Sequence, residues 1–233
     1  MEVRAVLFDL DGTLVDHDTA AEIALVETLR ATSGVRHVDD AHVRRRWRHL
    51  EEPAMDRYLS GELTFTEQRR LRVTSLAAEL GLGAWDDRRA DAWFAEYLRR
   101  YEAAWRVYPD VRPALEALTV RRLRQGVLTN GDADQQRRKL LHVGLADALP
   151  DVIVSSEVGA AKPSARIFRA GCARLGLVPH EVVYVGDRLR TDAIAAIDAG
   201  LRGIWLNRGS DLGPVEPPVI QTLEDLPALL AAG

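Results

Sequence analysis

Short apolar runs and longer amphipathic stretches alternate along much of this chain. The apolar runs fall at 3–8, 126–129, 152–155, 182–185 and 203–206. Between the later ones, at 112–124, 133–142, 165–175 and 192–199, apolar residues recur every three or four positions. Strands that are apolar throughout need cover on both faces. The alternation therefore predicts an α/β fold, a parallel sheet with helices on each side.

Between the first and second strands lie over a hundred residues that read as helix alone. Val43, Trp47, Leu50, Ala54 and Tyr58 share a helical spacing, which Pro53 is expected to kink or divide. Thr64 and Glu67 have the spacing of a capping box, opening a helix on which Val73, Leu76 and Leu80 share a face. Trp93, Tyr97 and Tyr101 stripe another. These patterns predict an all-helical insertion, 17–105, carried by an α/β domain made of 1–16 and 106–233. The stretch "SDLGPVEPP", 210–218, reads as a loop.

Composition narrows the function. Of 233 residues, 47% are hydrophobic and 28% charged, with a formal net charge of −4, which favours neither nucleic acid nor an anionic membrane as partner. No apolar run approaches the ~20 residues of a membrane span, and Asp9 and Asp11 interrupt the N-terminal run before it resembles a leader. The single cysteine, Cys172, can form no internal disulfide and is expected in the core, spaced with Phe168 and Leu175. A cytoplasmic location is the expectation. The basic stretches "RRRWRH" at 44–49 and "EQRRLR" at 67–72 read as charged helix faces. The whole segment 17–105 carries 14 Lys and Arg against 16 Asp and Glu.

The chemistry gathers where strands end. In parallel α/β sheets ligands bind beyond the carboxyl ends of the strands. The first strand runs into Asp9 and Asp11, the second into Thr129, Asn130 and Gly131, and the fourth into Asp187 and Asp192. Lys162 follows the third, within "GAAKPS". Two carboxylates two positions apart repel, so a cation is expected between them. Several hard oxygen donors suit Mg²⁺. The Thr129 hydroxyl, the Asn130 and Gly131 amides, the Lys162 ammonium and the positive end of the following helix suit a phosphoryl group. "DLDG" is not a calcium loop, since the glycine such a loop requires would fall at Leu14.

Four segments in order, "DLDGT" at 9–13, "LTNG" at 128–131, Lys162 and "GDRLRTD" at 186–192, resemble the motifs of the haloacid dehalogenase-like (HAD) superfamily. The resemblance is to its phosphatase branch, in which a helical cap is inserted just after the first motif. It implies a Rossmann-like core and a Mg²⁺-dependent phosphatase for a small phosphorylated metabolite. Carried over by position, Asp9 would be the nucleophile that forms an aspartyl phosphate. Asp11 would be the general acid and base and would lend its backbone carbonyl to the metal. Thr129, Asn130 and Lys162 would hold the phosphoryl group, Asp187 would bind Mg²⁺, and Asp192 would ligate or support it from outside. Arg188 stands where many relatives carry a small polar residue.

Three rivals share parts of this pattern. A haloacid dehalogenase uses an aspartate nucleophile but has no need of Asp11. A phosphoacceptor signalling domain sets similar residues at strand ends without a long helical insertion. A sugar phosphomutase shares the first chemical step and differs in the final acceptor.

Overall fold

The computed structural model describes residues 2–35, 39–209 and 216–232. Most of the expected loop 210–218 lies outside them. The chain divides into two compact units, 1–16 with 106–233, and 17–105.

The first unit is built on strand β1 (Ala5–Phe8), which enters it near the N-terminus. The second unit holds helices α1 (His17–Arg30), α2 (Asp40–Leu59), α3 (Phe65–Glu79) and α4 (Asp87–Ala103). The chain then returns through α5 (Val111–Val120), β2 (Arg124–Thr129), α6 (Ala133–His142), β3 (Asp151–Val154), α7 (Ser155–Val158) and α8 (Ala165–Leu175). Strand β4 (Val182–Gly186), a π-helical turn at Leu189–Ile194, α9 (Ala195–Asp198), β5 (Arg202–Leu206), β6 (Val219–Ile220) and α10 (Leu226–Ala232) complete it.

Among the described residues six strands form one sheet, all parallel, in the order β3-β2-β1-β4-β5-β6. This is the parallel sheet that the alternating pattern predicts, in the doubly wound Rossmann-like arrangement that the family resemblance implies. Its strand order reverses direction beside β1, where a crevice forms between the carboxyl ends of β1 and β4. Val6 and Leu7 of β1 and Val183 and Tyr184 of β4 are wholly buried, which explains why these strands read as unbroken apolar runs. One core layer packs Leu7, Leu128 and Tyr184 against Ile167, Phe168 and Cys172 of α8. Burial pushes the Cys172 thiol up to about 11, so it is an apolar core residue and not a nucleophile.

Several boundaries differ from the pattern. The helix expected over 112–124 ends at Val120, because Arg124 pairs with Ala5 and opens β2. The helix expected over 192–199 begins as a π-turn, with Asp192 inside it. Strand β6, only two residues long, left no readable period.

In the helical unit, α2 continues through Pro53 rather than dividing there. The proline removes the bond its N–H would have made to the His49 carbonyl, but Val43, Trp47 and Ala54 remain buried on one face and hold the helix on course. The expected capping box is formed at α3: Glu67 N–H donates to Thr64 Oγ1 at 3.2 Å and Thr64 N–H to Glu67 Oε2 at 2.7 Å. The aromatic stripe of α4 is core. Trp93 stacks on Tyr97 and Tyr97 on Tyr101, while Trp47 donates to the Tyr97 hydroxyl at 3.1 Å. The basic stretches are spent inside this unit: Arg46 pairs with Glu79, and Arg70 with Asp87 and Asp91. Among the described residues no helix is long and apolar enough to cross a membrane.

Candidate active site

Strand β1 delivers its last apolar residue at Phe8, and the backbone then breaks from the sheet. Asp9 N–H still donates to Val185 of β4 at 2.9 Å, so the Asp9 side chain stands at the crevice. Gly12 takes a positive φ of 82°, and the chain closes on itself as Leu14 and Val15 donate back to the Leu10 carbonyl. This turn is only open to glycine: a Cβ there would meet the Asp187 carboxylate.

On the far side of the crevice, Asp187 follows β4, and the π-turn returns Asp192 to the same place. Gly186 makes this possible, since a Cβ on it would lie 2.5 Å from Asp192 Oδ2. Asp9, Asp187 and Asp192 thus bring carboxylate oxygens within 4.8 Å of one another.

Lys162 reaches into this cluster from the loop after α7. Its ammonium, on a buried side chain, donates to Asp9 Oδ1 at 2.7 Å, Asp192 Oδ1 at 2.6 Å and the Tyr184 hydroxyl at 2.8 Å. Burial alone would lower its pKa, but the attraction of Asp192 and Asp9 outweighs it and the pKa is raised. The lysine stays charged. Its loop is held by Asn130, whose side chain accepts from Lys162 N–H at 2.8 Å and donates to Lys162 O at 3.0 Å. Asn130 therefore spends its side chain on the backbone of Lys162.

Lys162 by itself does not balance three carboxylates. Burial, resisted by Lys162 and reinforced by Asp192, pushes Asp9 up to about 6. Burial together with Asp9 and Asp192 pushes Asp187 up to about 7. Such groups ionise fully near neutral pH once a further cation joins them, and their donors are all hard oxygens. The set fits Mg²⁺. Asp192 is the least available of the three, because Oδ1 takes Lys162 and Oδ2 takes the Arg188 N–H at 2.9 Å. The residue at 188 thus acts through its backbone on Asp192, while its guanidinium charge partly offsets the rise at Asp187.

Asp11 faces the other way, toward β2 and α6. Its Oδ2 accepts from Gln136 Nε2 at 2.9 Å, and its Oδ1 pairs with Lys139. The same Gln136 amide donates to Thr129 Oγ1 at 2.9 Å and the Asn130 carbonyl at 3.1 Å. The Gly131 amide, expected to face a phosphoryl group, donates instead to Ser155 Oγ at 2.9 Å.

Sequence reasoning missed Tyr184, Gln136 and Lys139. Tyr184 was hidden in an apolar strand, though a phenol in such a run always needs a partner for its hydroxyl. Gln136 and Lys139 are one turn apart on α6 and share the face of Leu140, a signal that both point inward.

A family model for haloacid dehalogenase-like hydrolases matches residues 3–200. The chain belongs to this family. Among its relatives, the glyceraldehyde 3-phosphate phosphatase of Methanopyrus kandleri is 31% identical, over 89% of this chain and 85% of its own. The phosphoserine phosphatase of Thermus thermophilus is also 31% identical, over 92% of each. Of solved structures, YfnB of Bacillus subtilis, assigned as a HAD-hydrolase and bound to magnesium, superimposes with a TM-score of 0.85. It is 23% identical, over 99% of this chain and 100% of its own. The L-2-haloacid dehalogenase of Xanthobacter autotrophicus shares the fold at a TM-score of 0.75, 24% identical over 98% of both chains.

Proposed function

We propose that this protein is a Mg²⁺-dependent phosphomonoester phosphatase acting on a small phosphorylated metabolite through an aspartyl phosphate on Asp9. The observation that carries this reading is the second carboxylate, Asp11, two positions after Asp9 and linked to Thr129 through the Gln136 amide. An alkoxide leaving group needs a proton and the later attack by water needs a base. A departing halide needs no proton, so a dehalogenase has no use for Asp11 as an acid.

In this reading Asp9, Asp187 and the Asp11 carbonyl hold Mg²⁺, with Asp192 supporting from outside. Bound there, the metal neutralises charge that would otherwise keep a phosphate dianion away from Asp9. Asp9 attacks phosphorus in line, the ester P–O bond breaks, and Asp11 gives its proton to the leaving oxygen. Water then attacks the phosphorus of the aspartyl phosphate, Asp11 takes a proton from it, and Asp9 is released with inorganic phosphate. The Thr129 hydroxyl binds a phosphoryl oxygen, and Lys162 holds Asp9 in place while balancing its charge. The helical unit, 17–105, serves as the cap that selects the organic part of the ester.

The test is release of inorganic phosphate from a panel of esters, begun with glyceraldehyde 3-phosphate and phosphoserine because of the relatives' names. Turnover should need Mg²⁺ and stop in EDTA. Full activity in chelator would overturn the metal assignment. Chloride release from 2-chloropropionate without any phosphatase activity would favour the dehalogenase. Transfer of the phosphoryl group to a second sugar hydroxyl would favour the mutase.

A further inference from the structure

Two buried polar residues of α6 have no part in the chemistry just described, yet both end on groups that do. Gln136 is 3% exposed and Lys139 is 1% exposed, which is rare for either residue type. A buried ammonium is costly unless it is paired, and an apolar side chain of the same volume would pack here with less penalty. Their placement therefore calls for a reason beyond packing.

We propose that Gln136 and Lys139 are positioning residues. Lys139 fixes the Gln136 amide, and Gln136 in turn holds the Asp11 carboxylate and the Thr129 hydroxyl in one register. The inference rests on the phosphatase reading and deepens it. A lysine ammonium can only donate, so the Gln136 oxygen must be the atom that faces Lys139, at 3.1 Å. That settles which end of the amide is which. The Nε2 end then meets only acceptors: Asp11 Oδ2, Thr129 Oγ1 and the Asn130 carbonyl. Thr129 Oγ1 receives a hydrogen from Gln136 at 2.9 Å and donates its own to the Asn130 carbonyl at 3.3 Å, so the hydroxyl is held at both ends. Lys139 also pairs with Asp11 Oδ1, so both oxygens of that carboxylate are held from α6. One amide thereby ties the position of the Asp11 carboxylate to that of the Thr129 hydroxyl.

The test compares two esters that differ in their need for Asp11. Glycerol phosphate requires a proton on its leaving oxygen, whereas p-nitrophenyl phosphate does not. Gln136→Met keeps the volume and removes the donor. We expect kcat/KM to fall about tenfold or more further on glycerol phosphate than on p-nitrophenyl phosphate, the size of a misplaced general acid. In an Asp11→Asn background the same change should leave the ratio between the two esters where it was. Should Gln136→Met fail to fold, Gln136→Glu, which retains the shape but offers Asp11 an acceptor, is read in the same way. Equal loss on both esters in a variant of unchanged Tm, or no loss, would overturn the positioning role while leaving the phosphatase reading intact. No turnover of either ester by the unsubstituted protein would overturn both.

Discussion

Gly12 lies so close to Asp187 that a Cβ built on it would stand 2.5 Å from Asp187 Oδ2. The positive φ of 82° at Gly12 adds a second reason against any side chain there. Gly12→Ala should therefore push Asp187 out of the crevice. Strain of about 1–2 kcal/mol from the backbone alone corresponds to a Tm lower by roughly 2–8 °C. Activity should fall much further, on the order of 10²-fold, because a displacement near 1 Å is enough to spoil an in-line attack. A Gly12→Ala protein with undiminished turnover would show that Asp187 need not sit where it does.

The carboxylate cluster predicts how Mg²⁺ and pH act together on stability. An aspartate in an unfolded chain ionises near 3.9. In the fold Asp9 is pushed up to about 6 and Asp187 up to about 7. Between those values the folded protein binds more protons than the unfolded chain, so in EDTA these two groups make stability fall as pH rises. Mg²⁺ binds the ionised forms and removes the penalty. The gain in Tm on replacing EDTA by Mg²⁺ should be near zero at pH 5 and several °C at pH 8. A gain of the same size at both pH values would mean that these carboxylates are not where the metal binds.

Much of this site was legible before any coordinates, for a physical reason. Asp9, Asp11, Thr129 and Asp187 each follow a run of apolar residues long enough to be a buried strand, so their places at strand ends followed from hydrophobicity alone. Lys162 and Asp192 were found by spacing, and the structure brings both to Asp9. What pattern did not reveal depends on long-range pairing. Lys139 and its partner Asp11 are separated by 128 positions, and no local period records such a meeting. The Asn130 side chain is turned to the backbone of Lys162 by a loop whose path only the fold sets, while the expectation for Asn130 concerns its backbone amide. The π-turn at Leu189–Ile194 has the same composition as an ordinary helix start. It forms because Asp192 must reach both Lys162 and the Arg188 amide.

Asp110 braces the loop that follows Asp11 through Arg208 and predicts a different pH dependence. Its carboxylate accepts from Arg208 at 2.8 and 3.1 Å, from the Thr222 hydroxyl at 2.9 Å and from Leu223 N–H at 2.8 Å. Arg208 also donates to the Thr13 carbonyl at 2.8 Å, which ties the bracket to the loop carrying Asp11. Burial works to raise the pKa of Asp110, but the bonds from Arg208, Leu223 and Thr222 outweigh it and hold the carboxyl below the usual range. With a folded pKa below the unfolded one, its stabilisation is complete above the unfolded value and is lost as pH falls through the folded value. Asp110→Asn should cost about 2 kcal/mol at pH 7, a Tm lower by roughly 4–8 °C, with the gap closing in acid. A gap that stayed constant from pH 7 to pH 2 would show that the charge on Asp110 is irrelevant.

The two aspartates after β1 can be told apart by one rapid-mixing experiment. Asp9→Asn removes the nucleophile, so no covalent intermediate forms and no ester should release its phosphate. Asp11→Asn keeps the nucleophile and removes the proton donor and later base, worth roughly 10²–10⁴-fold in rate. With an alkyl phosphate both chemical steps then slow. With p-nitrophenyl phosphate the leaving group departs unaided, and only hydrolysis of the aspartyl phosphate stalls. Asp11→Asn should thus give a burst of nitrophenolate near one equivalent per site followed by a slow steady state, and Asp9→Asn none. Both variants are first checked for fold and Mg²⁺ binding, since Asp9 also holds Lys162 at 2.7 Å and Asp11 pairs with the buried Lys139. A burst from Asp9→Asn would move the nucleophile elsewhere. The absence of a burst from a folded, metal-loaded Asp11→Asn would remove Asp11 from the hydrolytic step and leave the water to be activated by another group.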